Sequence, residues 1–265
     1  MLKDDRPSLR QRLQAGEVVL GSWLMASSSV NAEILADAGF DWLAADCEHS
    51  DTSTEQVTNM TRAVQGRSTM LVRVRECDTL VIRQALDIGT EGVIVPLIET
   101  PEQATHAVRA AKYPPQGVRG YSFGRSNDWG INFDGYSAAA NDRIVVIVMI
   151  ESALAVENID AILAVDGVDG VYIGPYDMSG SYGVTGQTSH PKIIEARQLV
   201  LDACGNAGKA AGVHVVLPTP ESLRAAIEEG FRFVGVGGDI MFLTQTGYKF
   251  AELGRQCREA CHGRR

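Results

Sequence analysis

Glu151 closes the stretch Ile144 to Glu151, IVVIVMIE, in which seven apolar residues run straight into a carboxylate. A continuous apolar run of this length reads as a strand buried on both faces, as in a parallel sheet. In α/β proteins such strands turn their C-terminal ends towards the active site. A second run, Gly170 to Ile173, leads through GPYD to Asp177. Each acid has a plainer reading: Glu151 could belong to a polar loop with Ser152 as N-cap, and Asp177 could cap a turn. Together, after successive apolar strands, they form a donor set for a hard divalent metal.

Other reactive residues follow the same logic. His49 comes after the second strand-like run, beside Glu48, where a plain surface histidine is the alternative to a catalytic one. Arg73 lies in the apolar LVRV, and a buried cation must find an anion. That anion is either a neighbouring acid such as Asp46 or a substrate carboxylate or enolate oxygen. Leu71, Arg73 and Arg75 share one parity and Val72 and Val74 the other, so Arg73 points inward if the valines pack on helices. His214, inside the seventh strand, reads as core. The glycines of GVGGD before Asp239 could cradle a phosphate. The five lysines are Lys3, Lys112, Lys192, Lys209 and Lys249. None ends a strand, and Lys209 precedes one, so a Schiff base has no obvious donor and carbonyl chemistry falls to the metal.

The elements that must position these residues follow from the hydrophobic pattern. Strands are expected at 18–24, 40–46, 70–74, 92–96, 144–151, 170–173, 212–217 and 231–236. Helices alternate with them, including one over 153–164 and a last one reaching about Ala260. The glycine-rich segment 116–141 reads as a lid or loop. Eight βα units without hairpin signals predict a TIM (β/α)8 barrel. An open doubly wound sheet would more often carry GxGxxG at its first turn, which here is MASSS. Trp23, Pro96 and Leu217 also fall at or just after strand ends.

The chain has 265 residues and is 45% hydrophobic, which suits one barrel domain over 1–265. A formal net charge of −9 argues against nucleic acid or an acidic membrane surface as partner. The basic residues are scattered apart from Arg264–Arg265. Five cysteines without a CxxC pair fit a reducing cytoplasm better than a disulfide framework. The N-terminal MLKDDRPSLRQRL lacks the apolar stretch of a signal peptide. No apolar run approaches the roughly 18 residues of a membrane span.

The sequence resembles the class II pyruvate-dependent aldolases that cleave 4-hydroxy-2-oxo acids, such as the 4-hydroxy-2-oxoheptanedioate, 2-dehydro-3-deoxyglucarate and 2-keto-3-deoxyrhamnonate aldolases. GSWLMASSS (21–29), AGFDWLAADCEH (38–49), LVRV (71–74), ALDIGTEGVIVP (85–96), YPPQGVRG (113–120), MIES (149–152) and VDGVYIGPYDMSGSYG (168–183) carry the likeness. It implies a barrel assembled as a homo-oligomer, commonly a hexamer, with the last helix exchanged between subunits. It also implies Mg²⁺, Mn²⁺ or Co²⁺ held by Glu151 and Asp177. Pyruvate would chelate that metal, and Arg73 would stabilise the enolate oxygen. His49 would move protons, paired with a neighbouring subunit's aspartate matching Asp87. The substrate-binding wall would comprise Gly174, Pro175, Leu217 and the backbone N–H groups of Tyr176 and Asp177, with Trp23 near the pyruvate methyl. Tyr176 stands where several members have Ala, and YSFGRSNDWG (121–130) departs from the usual aldehyde-binding segment. The rivals are a citrate-lyase-like or phosphoenolpyruvate-mutase-like barrel, or a catalytically silent one used for assembly. The first would need a basic coenzyme A groove, which is not evident. The second would turn over phosphonates, and the third should have lost Glu151, Asp177 or Arg73.

Overall fold

A computed structural model describes residues 7–262; Lys3, the first six residues of the polar N-terminal stretch and the Arg264–Arg265 pair lie outside them. Eight parallel strands close into a barrel in sequence order. They are β1 (Val19–Leu24), β2 (Trp42–Asp46), β3 (Thr69–Arg73), β4 (Gly92–Val95), β5 (Val145–Ile150), β6 (Gly170–Ile173), β7 (Ala210–Val215) and β8 (Phe233–Gly238). The helices are α1 (Leu9–Gln14), α2 (Ser29–Asp37), α3 (Thr54–Val64), α4 (Thr79–Asp87), α5 (Pro101–Ala111), α6 (Phe133–Arg143), α7 (Ala153–Glu157), α8 (Ile159–Leu163), α9 (Pro175–Ser181), α10 (Pro191–Ala207), α11 (Pro220–Glu229) and α12 (Asp239–His262). Among the described residues, no helix is long and apolar enough to cross a membrane.

Alternation along the strands builds two cores. Leu71 and Ile94 face the barrel interior with Trp23, Trp42, Tyr172 and Phe233, and Leu9 and Leu13 of α1 join them. Val72 and Val74 pack in the layer between barrel and helices, so Arg73 takes the inward parity that its neighbours predict. The helices start where the sequence offers an oxygen. Ser53, Thr100 and Thr219 accept from the third helical N–H of α3, α5 and α11, and the Asp78 carboxylate caps α4. Each removes an otherwise unpaired donor at a helix start.

Three elements differ from the expectation. The helix expected over 153–164 is two short helices, α7 and α8, broken at Asn158 (φ −96°, ψ 7°). The glycine-rich segment is folded as a 3-10 turn, Arg125–Gly130, followed by α6. Buried Asn127 organises that turn. Its Oδ1 accepts from the N–H groups of Gly124 and Gly130, and its Nδ2 donates to the Ser122 carbonyl. Asp177 lies in the first turn of α9 rather than on a strand end.

The last helix behaves unlike the others. From Leu243 onward every described residue of α12 is exposed, including Leu243, Tyr248, Phe250 and Leu253. Only its start is anchored. The Asp239 carboxylate accepts from the N–H groups of Met25, Ala26 and Ile240 and from the Asn31 side chain. Those bonds lock β8 to the end of β1 and fill the helix start with the protein's own anion.

Candidate active site

Arg73 ends β3 and Asp46 ends β2, paired in register. The guanidinium grips the fully buried Asp46 with two bonds, Nε to Oδ1 at 2.9 Å and Nη2 to Oδ2 at 2.6 Å. Asp46 also accepts from the N–H groups of Glu48 and His49, which shapes the loop after β2. Burial would raise its pKa, but Arg73 and these N–H groups together hold it below the usual carboxylate range. The ion pair is thus formed, and it leaves one nitrogen over. Nη1 lies 3.3 Å from Glu48 Oε2, and the guanidinium carbon sits 4.8 Å above the Trp23 ring.

Glu151 follows β5 and is buried. One of its oxygens, Oε2, accepts from the Leu97 N–H at 3.1 Å. Leu97 adopts a left-handed φ of 57° just after Pro96, which turns that N–H into the site. A Cβ added at Gly174 would come within 2.6 Å of Glu151 Oε1, so only glycine lets the loop after β6 approach this carboxylate. Burial pushes the Glu151 carboxyl up to about 7, with the negative charges of Glu48 and Asp177 adding to the rise. Burial also raises Glu48, against the pull of Arg73 and His49. Glu48 Oε2 is buried and accepts no hydrogen bond.

Two carboxylates, Glu48 and Glu151, whose ionisation is made costly by burial and by the negative charge of Asp177, are the surroundings a divalent cation relieves. Among the described residues, no three His, Cys, Asp or Glu side chains converge as a ready-made cage. A hard cation held by one or two carboxylates, with its remaining positions filled by water and substrate oxygens, suits that sparse donor set. Glu151 and Asp177 are the residues that could hold it, with Glu48 close by.

The remaining expected residues divide into two groups. Trp23 lies in the interior beneath Arg73, and Gly174, Pro175 and exposed Tyr176 lead into α9 beside Glu151. Leu217 is exposed beyond the end of β7. The His49 side chain, 60% exposed, has its Nε2 3.7 Å from Glu48 Oε2. Asp87 is not brought to His49 within the chain. It sits in the last turn of α4, which runs away from the strands' C-terminal ends, and it pairs with Arg119 at 2.8 Å. Arg119 is buried over the Tyr113 ring and donates to the Tyr136 hydroxyl.

The profile of the HpcH/HpaI aldolase/citrate lyase family matches residues 20–246. This chain belongs to that family. A hydroxypyruvate/pyruvate aldolase of Roseobacter denitrificans is 40% identical over 253 residues, covering 94% of this chain and 97% of that protein. A 2-keto-3-deoxy-L-rhamnonate aldolase of Salmonella dublin is 38% identical over 243 residues, covering 89% of this chain and 88% of the relative. Among solved structures, a member of the family from Burkholderia cenocepacia superposes with a TM-score of 0.88 at 35% identity, covering 93% of this chain and 98% of that one. Membership carries the barrel and the aldolase type of carbon–carbon lyase chemistry. Two parts of the site in this family member escaped the sequence reading. Glu48 was visible only as a neighbour of His49, and the burial of its Oε2 without a hydrogen bond depends on the fold. The Leu97 N–H has no side-chain signal at all.

Proposed function

We propose that the protein cleaves a 4-hydroxy-2-oxo acid reversibly to pyruvate and an aldehyde, at a divalent cation held by Glu151 and Asp177. The observation that carries this reading is the pair of acids Glu48 and Glu151, whose carboxyls are both raised by burial and by the negative charge of Asp177, beside Arg73. When bound, the cation supplies Lewis-acid polarisation of the substrate's 2-oxo group. The chain's own residues supply the rest. Cleavage of the C3–C4 bond sends its electron pair towards C3 and the C2 oxygen, while the C4 hydroxyl gives up its proton and becomes the aldehyde. Arg73, with two nitrogens fixed by Asp46, presents Nη1 as a preorganised donor to the charge that grows on the C2 oxygen. His49, on the open side of the mouth, takes the C4 hydroxyl proton, directly or through a water, and a proton delivered back to C3 turns the enolate into pyruvate. Trp23 and the wall of Gly174, Pro175, Tyr176 and Leu217 enclose the 2-oxo acid.

The protein acts as a homo-oligomer in this reading, a hexamer with α12 packed on a neighbour. The bare apolar face of α12 supports it, as does the separation of Asp87 from His49, which a second copy's Asp87 would close. Mg²⁺, Mn²⁺ and Co²⁺ are the candidate cations.

The test is a screen of retro-aldol cleavage across several 4-hydroxy-2-oxo acids, with lactate dehydrogenase detecting released pyruvate. Activity should vanish with EDTA and return with Mn²⁺, Co²⁺ or Mg²⁺. Full turnover by verified metal-free protein would overturn the cation site. Release of no pyruvate from any substrate, with cation present, would overturn the aldolase reading.

A further inference from the structure

The stretch YPPQGVRG (113–120) plays no part in the reaction proposed above. It is built around Arg119. After α5 ends at Ala111 the chain turns back over that end, and Gly117 fits there only without a side chain. A Cβ on it would come within 2.2 Å of the Lys112 carbonyl oxygen. The turn carries Arg119 into the interior, where it is 1% exposed. Its guanidinium lies over Tyr113, 4.6 Å from the ring centroid, and Tyr121 stacks on the same ring at 4.5 Å. Nη1 donates to the Tyr136 hydroxyl at 3.1 Å and Nη2 to Asp87 Oδ1 at 2.8 Å. Nε is buried without a hydrogen bond.

A buried cation must find an anion, and among the described residues Asp87 is the carboxylate that Arg119 reaches. The Arg73–Asp46 pair shows the closed form of such a contact. There both oxygens of the acid are gripped and the acid is fully buried. Asp87 is gripped by one oxygen and keeps 24% of its side chain exposed. Among the described residues, nothing donates to Oδ2. Asp87 lines a surface groove with Leu80, Arg83, Arg125 and Trp129, of which Leu80 and Trp129 are exposed apolar side chains. The 3-10 turn crowds the same end of α4, since a Cβ on Gly124 would lie 3.2 Å from the Asp87 carbonyl oxygen. Arg119 therefore ties α4, the segment after α5 and α6 to a single half-open carboxylate.

An acid that orients a histidine needs one oxygen fixed and the other free to accept from the ring. We propose that Arg119 is a positioning residue for the reaction: it fixes Oδ1 of Asp87 so that Oδ2 meets a second copy's His49 and holds that imidazole towards the C4 hydroxyl. This rests on the aldolase reading above and on its pairing of Asp87 with His49 across subunits.

The test is pyruvate release by the full chain saturated with Mn²⁺, from the best substrate of the screen above. Arg119→Met should lower kcat by about tenfold or more with KM little changed, as for a misaligned proton acceptor. Arg119→Lys keeps the charge over Tyr113 but has no planar fork to hold Asp87 and Tyr136 together. It should recover part of kcat, and it carries the test if Arg119→Met does not fold. Mixed assemblies then separate positioning from folding. Two differently tagged chains are co-expressed, and assemblies holding both are isolated. The Arg119 variant mixed with His49→Asn should regain activity, because a site can combine the first chain's His49 with the second chain's intact Arg119–Asp87 pair. Asp87→Asn mixed with His49→Asn should recover in the same way. Wild-type kcat in either Arg119 variant, or recovery in the Asp87 mixture but not in the Arg119 mixture, would overturn the inference alone. No recovery in either mixture would overturn the pairing of Asp87 with His49 and the inference with it. A wild-type protein that releases no pyruvate from any substrate would overturn the aldolase reading as well.

Discussion

Asp239 and Glu151 are both buried carboxylates just beyond strand ends, at the same end of the barrel. Asp239 accepts from three backbone N–H groups and an asparagine side chain. Glu151 accepts from one N–H group and faces two further acids. Equal burial therefore means different things. A saturated carboxylate joins strands and starts a helix, and its charge is spent on the fold. An undersupplied one stores electrostatic cost that a ligand can release. The same contrast separates the two ends of the Arg73 guanidinium, one fixed by Asp46 and the other turned to Glu48.

The sharpest way to break the comparison is to mutate both acids. Glu151→Gln should lower cation-dependent turnover by about 10³-fold or more, the several kcal/mol that a Lewis acid supplies, while the Tm holds or rises. Asp239→Ala should do the reverse at the level of folding. It strands four donors and should cost roughly 3 kcal/mol or more in urea unfolding. Equal Tm losses in the two variants would erase the distinction.

Arg73 gives the next largest effect, with both roles in one residue. Arg73→Ala should lower kcat by about 10²-fold, as for loss of an oxyanion donor, and pyruvate C3-proton exchange should fall in parallel. It also leaves Asp46 buried without its partner, which costs roughly 3–5 kcal/mol. Neutralising that partner separates the roles: the double variant Arg73→Ala/Asp46→Asn should regain much of the Tm and none of the rate. Arg73→Lys should recover only part of the rate, because the planar fork is lost. If rate and Tm recover together in the double variant, Arg73 is structural only.

A smaller effect concerns pH. The Glu151 carboxyl, held at about 7 in the fold, lies above the 4.5 of an unperturbed glutamate, so folding favours its protonated form. Its contribution to stability is full below pH 4.5 and is lost as pH rises through 7. The metal-free protein should therefore gain Tm from Glu151→Gln at pH 8 but not at pH 4.5. Cation affinity in calorimetric titrations should strengthen from pH 6 to 8 and level off beyond, as the carboxyl loses its proton. A flat affinity profile would show that another group holds the cation. The smallest expected signal is a null. Borohydride with pyruvate should leave the protein mass unchanged, whereas a pyruvyl-lysine adduct tracking inactivation would replace the cation mechanism by a Schiff base.

Much of this was legible in the chain because it is written in periodicity. The eight strands appear as apolar runs between helical segments, and the parity of Leu71, Val72 and Val74 points Arg73 inward on the condition, met in the fold, that the valines pack on helices. Glu151 was legible for the same reason, as a charge terminating a run of buried residues. What was not legible depends on distant backbone. Asn127 turns a glycine-rich stretch into ordered structure through amide bonds that composition does not encode. Asn158 breaks a helix whose propensity looks continuous. Asp177 reads as a strand end but is carried into α9 by Pro175, which suits a first helical turn. Asp87 lies close in sequence to the strand-four residues and yet pairs with Arg119, because the direction of α4 removes it from the mouth.

The exposed length of α12 has a thermodynamic consequence. Twenty-four residues make a rod about 36 Å long, and a solitary helix of that kind has only marginal stability in water. If a second copy covers its apolar side, ordering of the tail is linked by mass action to protein concentration, and the melting temperature climbs as the solution is made more concentrated. Dilution would then peel away helical signal in circular dichroism before the barrel opens, so the tail would report how full the assembly is.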